Sequence, residues 1–352
     1  LLDVELLLKK NNNLNFKEIT FLEGENKFYL ENFVISDKSH LLSIDQLILE
    51  LKNTNKVVTK LKLSKNKTYN LTGKLLDASK IIDNILEKKN QNKTKFFKDF
   101  NEEIIIKLGK LYLDDKNFVV DINGKIKFTD GEISNLNLTS YFPNKEILDM
   151  SIRTTKNNEK ITNLSTKYPK PLVKRYKFIK GFEEGIFDFQ SIKKGNVSKS
   201  LLIIDNFKVK KVPVLAKILT LASLQGIADI LTGEGIRFTD FEMKFSNKGN
   251  LMTIDEIYAI GPAISILMKG YIQMGEIVSL RGTLVPATTI NRTISSIPIL
   301  GDILVGKKVG EGVFGVSFKV KGPPKNLKTT VNPIKTLTPR FISRTLEKIK
   351  KN

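Results

Sequence analysis

The chain has 352 residues, 41% apolar and 27% charged, the balance of a globular protein and not of a disordered one. It contains no cysteine, which excludes a disulfide scaffold, thiolate metal sites and thiol catalysis. Its formal charge is +21, but only seven of the 58 basic residues are Arg and the lysines are scattered among asparagines; this reads as solvated faces and argues against nucleic-acid binding.

The opening "LLDVELLLKK" places Asp3 and Glu5 where a signal peptide needs an unbroken apolar run. Any targeting or anchoring segment is therefore expected upstream of Leu1. "KFYLENFVIS" and "DQLILELK" then alternate with period two. The single histidine, His40 in "SDKSHLLSI", has no neighbouring carboxylate cluster, and Ser39 and Ser43 lack nucleophile-elbow glycines. It is read as a surface or edge-strand residue. "LLDASKIIDNILEKKNQNK" sets Leu75, Ile81, Ile82, Ile85 and Leu86 at helical spacing and predicts a helix near 77–89, with Asp77 or Ser79 as its cap.

Further on, "IIIKLGKLYL" puts Ile104, Ile106 and Leu108 on one face. "NFVVDINGKIKF" does the same with Phe118, Val120, Ile122, Ile126 and Phe128. Asp114 and Asp115 between them read as a hairpin turn. "TKYPKPLVKRYKFI", broken by Pro169 and Pro171, reads as a loop or short turn. Turn signals recur about every 8–12 residues, so the first half is predicted to be an antiparallel meander.

The most apolar stretch is "VPVLAKILTLASLQGIADILTGEGIRF". A helix over 213–232 approaches the roughly 20 residues a bilayer requires. Lys217, Gln225 and Asp229 are each costly at membrane depth, however. Pro213 suits the first turn and Gly233 the end. Leu215, Ile218, Leu219, Ala222 and Ile230 share a broad face, so the segment is predicted to be an amphipathic helix lying on a sheet.

The strands that follow keep their parity for long runs. Ile264, Ile266, Met268, Ile272 and Met274 are apolar against Lys269 and Gln273. Val278, Leu280 and Leu284 alternate with Ser279, Arg281 and Thr283; Phe314, Val316, Phe318 and Val320 alternate with Ser317, Lys319 and Lys321. Each run is apolar on one side, which a second layer, barrel closure or a hydrophobic ligand must cover. The glycines of "GEGIRF" and "GDILVGKKVGEGVFG" fit neither the phosphate-loop nor the dinucleotide spacing. No residue pattern points to catalysis, a metal or a cofactor. The closing "TPRFISRTLEKIKKN" predicts a basic helix near 339–350, with Ile342, Leu346 and Ile349 on one side and Arg340, Arg344 and Lys348 around it. Such a helix lies on anionic lipid or packs on the sheet.

From about residue 180 to 349 the text resembles the C-terminal module of AsmA-like envelope proteins of the YhdP type. The pieces that carry the resemblance come in order: "GFEEGIFDFQS", the helical stretch above, and "AIGPAISILMKGYI" with Gly261 and Pro262. "LRGTLVPATTIN", "IPILGDILVGKKVGEGVFGVSFKVKGP" and "TTVNPIKTLTPRFISR" with Asn332 and Pro333 follow. "LTGKLLDASKIID" is similar to a segment found upstream in such proteins. The resemblance implies a mainly β fold, an elongated curved antiparallel sheet forming an apolar groove, with a few short amphipathic helices near the C-terminal end. Residues 1–180 would form a β-rich groove segment and 181–352 the C-terminal module. The even-numbered apolar residues from Ile264 to Val320 would line the groove for phospholipid acyl chains, the helix from Pro213 would cap it, and Arg340, Arg344 and Lys348 would touch a membrane surface. The implied role is non-enzymatic and cofactor-free: conducting phospholipid between inner and outer membrane and supporting the envelope barrier. The implied location is the periplasm, with an inner-membrane anchor N-terminal to this chain. The alternative is a structural or interaction protein of the envelope with a sealed two-layer β core and no lipid.

Overall fold

The computed structural model describes residues 2–8, 13–52, 58–86, 97–173, 180–210, 212–286 and 315–334. Among these the protein is mainly β, with 20 strands and four short helices. It divides into two compact units, Leu1–Thr166 and Lys167–Asn352.

In the first unit β1 (Leu2–Leu8), β2 (Leu14–Glu23) and β3 (Asn26–Ile35) pair antiparallel in chain order. The short β4 (Leu41–Ser43) and β5 (Gln46–Lys52) both pair with β3, and β6 (Val58–Lys65) and β7 (Tyr69–Asp77) follow. The helix expected near 77–89 is present as α1 (Ser79–Leu86). The Asp77 carboxylate caps it, accepting from the Ser79 amide at 3.0 Å and the Ser79 hydroxyl at 2.6 Å. β8 (Glu103–Tyr112) then pairs with β7 in parallel, a departure from the all-antiparallel expectation. Parallel neighbours need a long crossover, and the helix-bearing stretch between Asp77 and Glu103 supplies it.

β9 (Phe118–Thr129), β10 (Glu132–Tyr141), β11 (Ile147–Thr154) and β12 (Lys160–Thr166) complete the unit as an antiparallel meander. The Asp114 carboxylate accepts the amides of Lys116 and Asn117, both at 2.8 Å, so the acidic pair does sit in a hairpin turn. The next hairpin turns on Asp130 and Gly131, both at positive φ (50° and 71°), the geometry of a two-residue type I′ loop.

The second unit opens with α2 (Lys170–Val173), the single turn expected around Pro169 and Pro171. Eight strands then pair antiparallel in chain order. They are β13 (Lys180–Lys194), β14 (Val197–Lys210), β15 (Ile236–Lys248), β16 (Leu251–Ile260), β17 (Ile264–Gln273), β18 (Ile277–Pro286), β19 (Gly315–Gly322) and β20 (Lys328–Ile334). Between β14 and β15 the expected single helix over 213–232 is two helices, α3 (Pro213–Leu221) and α4 (Gln225–Thr232). Ser223 takes a left-handed φ of 58°. Its amide reaches the Thr220 carbonyl at 3.0 Å, and the Leu224 amide reaches that of Leu219 at 2.9 Å. This double bond is the Schellman closure, which ends one helix and restarts the next in a new phase. The basic helix expected near 339–350, with Arg340, Arg344 and Lys348, lies outside the described residues.

Candidate functional site

Cross-strand register decides which side chains share a face. In the first unit one unbroken row crosses ten strands: Ile19, Leu30, Leu47, Leu63, Leu71, Ile106, Gly124, Leu138, Met150 and Leu164. All but the glycine are apolar. Leu30 and Ile106 are buried, whereas Ile19, Leu47, Leu63, Leu71, Leu138, Met150 and Leu164 are only half-buried. A compact core of Leu30, Leu41, Ile44, Tyr69 and Phe100 closes part of the unit. At β10–β12 no described helix packs on the row.

The second unit repeats the arrangement. Phe187, Ile204, Phe241, Ala259, Ile266, Leu284 and Val316 form one row across β13–β19. Phe189, Leu202, Met243, Ile257, Met268, Gly282, Phe318 and Val331 form the next, reaching β20. Ile272 faces Val278, and Leu280 faces Val320, further along the same side. The residues singled out in β17–β19 are therefore one surface, as their parity implied. Two are exceptions. Met274 falls in the turn after β17, beyond the ladder, and Phe314 lies outside the described residues.

Burial grades along this surface. Ile264, Leu284, Val316, Phe318 and Val320 are closed off, while Ile266, Met268, Ile272, Val278 and Leu280 are half-buried. Ile264, Leu284, Phe318 and Val320 belong to one apolar cluster that also contains Leu215, Ile218 and Leu219 of α3, and Ala228 and Leu231 of α4. Phe207 stacks between Phe182 and Phe238, with both centroid separations 5.4 Å, and these rings join the same cluster. Ala222 and Ile230 do not share the buried helix face. Ala222 sits at the break, half-buried, and Ile230 is 46% exposed. The phase reset at Ser223 is the cause, since α4 buries Ala228 and Leu231 in its place.

Two further readings are corrected. His40 is not a surface residue: it is buried, and its Nδ1 lies 2.5 Å from the Asp99 carboxylate. That partner is 59 positions away, which no local pattern could reveal. In β9 the alternation breaks at Asp121, whose φ is +52°. Val119, 2% exposed, takes the buried place expected of Val120. Phe118 packs on Tyr112, with the Lys110 ammonium 4.2 Å from the Phe118 ring centroid. A bulge residue of this kind turns every following side chain to the other face. Sequence reasoning also missed the first unit's apolar row as a lining. Its signal was there in the short alternating runs, but only register shows that they coincide.

Polar groups near these faces are structural. Lys65 Nζ bonds Glu102 at 2.8 Å and lies over the Tyr69 ring, and the Tyr69 hydroxyl accepts the Ile44 amide at 3.2 Å. The Glu102 hydrogen bond raises the pKa of Lys65, and burial raises that of Tyr69. Exposed Glu184 is held below the usual carboxylate range by the forked contact with Arg237. Among the described residues no three His, Asp or Glu side chains gather as a metal site, and no helix is long and apolar enough to cross a membrane.

Comparison with known proteins gives no relative. No family model, no curated protein and no solved structure matches the chain.

Proposed function

We propose that the apolar sheet faces form a groove that holds phospholipid acyl chains and conducts them between the inner and outer membrane of a cell envelope. In this reading the protein works in the periplasm, held by an inner-membrane anchor N-terminal to this chain, and supports the envelope barrier without catalysis. The carrying observation is the row from Ile19 to Leu164, apolar across ten strands yet mostly half-buried. Fully burying a Leu or Met contributes about 1.5–3 kcal/mol, so each half-covered side chain leaves part of that unrealised. An acyl chain laid along the face recovers it at about 0.8 kcal/mol per buried CH₂. The likeness of the second half to AsmA-like envelope proteins of the YhdP type points the same way. Arg340, Arg344 and Lys348 would contact a membrane surface.

The test is photo-crosslinking in cells combined with native extraction and mass spectrometry of bound small molecules. Crosslinker placed at Leu138, Met150 or Ile272 should capture phospholipid, and at Asn137, Ser151 or Lys269, on the opposite face, should not. Equal capture from both faces, or a folded protein that carries no lipid, sinks the groove. The second reading, a sealed two-layer envelope protein, is favoured by one observation: Ile264, Leu284 and Phe318 are buried in one cluster with side chains of α3 and α4. It predicts the lipid-free outcome.

A further inference from the structure

The side of β17–β20 that faces away from the apolar rows has an unusual charge pattern. These four strands contain five cations and no carboxylate: Lys269, Arg281, Lys319, Lys321 and Lys328. Lys269 stands directly across from Arg281, and Arg281 directly across from Lys319. One row along, Lys321 stands across from Lys328. All five are exposed, and among the described residues none forms an ion pair.

Like charges directly opposed on neighbouring strands destabilise a sheet. Like charges are opposed elsewhere too, but the opposed cations there have counter-charges: Lys210, across from Lys180, bonds Glu183, and Arg237, across from Lys208, bonds Glu184. Lys60 pairs with Glu50 and Lys125 with Glu103 across adjacent strands, at 3.8 and 3.4 Å. The carboxylates nearest the ladder, Asp255 and Glu256, lie in the β16 bulge opposite Lys269 at one end of the row; Arg281 and Lys319 have no carboxylate across from them, and an anionic partner would relieve their repulsion. Around it the face offers the hydroxyls of Ser279, Ser317 and Thr330, and in these strands Tyr271 is the one large apolar side chain that is well exposed. That face lacks the apolar groups with which a surface-bound element enters a bilayer. Arg281, at the centre of the row, presents the fork that binds a carboxylate through two parallel hydrogen bonds.

We propose that this face docks an Asp- and Glu-rich segment of a partner protein, whose carboxylates neutralise the ladder from Lys269 to Lys319. The assignment rests on charge and register and is independent of the lipid reading, which concerns the opposite face.

The experiment measures binding of a fluorescent oligoglutamate peptide to the full chain at low salt. Wild type is compared with Lys269→Ser/Arg281→Ser/Lys319→Ser. The control is Lys62→Ser/Lys107→Ser/Lys127→Ser, three exposed lysines of the first unit, which lowers the net charge equally. The ladder variant should lose about 10-fold or more in affinity and the control less than about 3-fold. Equal losses would mean that net charge alone attracts the peptide and would overturn the proposal. So would displacement of the peptide by phosphatidylglycerol vesicles or duplex DNA at a lower concentration of charge than free oligoglutamate requires. Should the triple ladder variant fail to fold, Lys269→Gln/Lys319→Gln is read against Lys62→Gln/Lys107→Gln with the same expectation.

Discussion

Lys65, Glu102 and Tyr69 meet where the chain entering β8 crosses the β6–β7 hairpin, and their ionisation ties the first unit to pH. The Glu102 hydrogen bond raises Lys65, and burial raises Tyr69. Both folded values thus lie above the unfolded ones, which are about 10.4 and 10. A group raised on folding contributes its full stabilisation below the unfolded value and loses it as pH climbs through the folded one. The urea midpoint should therefore hold steady up to about pH 10 and fall beyond it. Lys65→Met/Tyr69→Phe should fall less steeply there, and a decline as steep as that of wild type would refute the assignment. Little of this cluster was legible in the sequence. Tyr69 opens β7 and Glu102 precedes its neighbour β8, 33 positions away in number, and His40 and Asp99 are 59 apart. Side-chain pairs that only tertiary contact creates leave no trace in local spacing. Asp114 was legible, because an Asx turn is made within four residues.

At the scale of elements, period-two alternation gave the strands and one backbone residue decided most of what it missed. Ser223 breaks the helix over 213–232, yet it leaves the apolar spacing readable as a single face, and so Ile230 was placed on the wrong side. Asp121 does the same to β9. Both take positive φ without being glycine, a conformation that sequence spacing does not report. The left-handed conformation costs a residue with a Cβ about 1–2 kcal/mol. Ser223 is exposed, so its replacement disturbs no packing. Ser223→Gly should stabilise the second unit by about 1 kcal/mol, less the extra entropy glycine holds when unfolded. Ser223→Ala should bring no such gain. Thermal unfolding decides it: a midpoint for the glycine variant at or below that of the alanine variant would show that the turn is unstrained. The parallel β7–β8 pair was hidden for a different reason. A helix between strands signals a possible crossover, but which edge the chain returns to is set by pairing outside the connection.

For the molecule as a whole, the question is whether apolar sheet faces are closed by protein or left for a ligand, and the two units give separate tests. In the second unit Leu284 is fully buried in the cluster that α3 and α4 complete. In the first, Met150 sits in an apolar row and is only half-buried. Leu284→Asp buries an unpaired carboxylate in a closed core, a change of the class that costs more than about 4 kcal/mol and abolishes folding in a marginal domain. Met150→Asp places the same group where water or an acyl chain can reach it. If the face is open, its cost should stay within about 1–2 kcal/mol, the ordinary range for a substitution outside a sealed core. Chemical denaturation of the two variants separates the cases. A large loss at Leu284 with a small one at Met150 is the signature of a sheet whose apolar side is closed at the helices and open at β10–β12. Equal, severe losses would mean that the first unit's row is sealed as well, leaving no room for lipid there. The sequence could raise this question but not answer it. Leu284 and Met150 look alike as apolar members of alternating strands, and what sets them apart, membership of the cluster that holds α3 and α4, is a tertiary contact with no local signal.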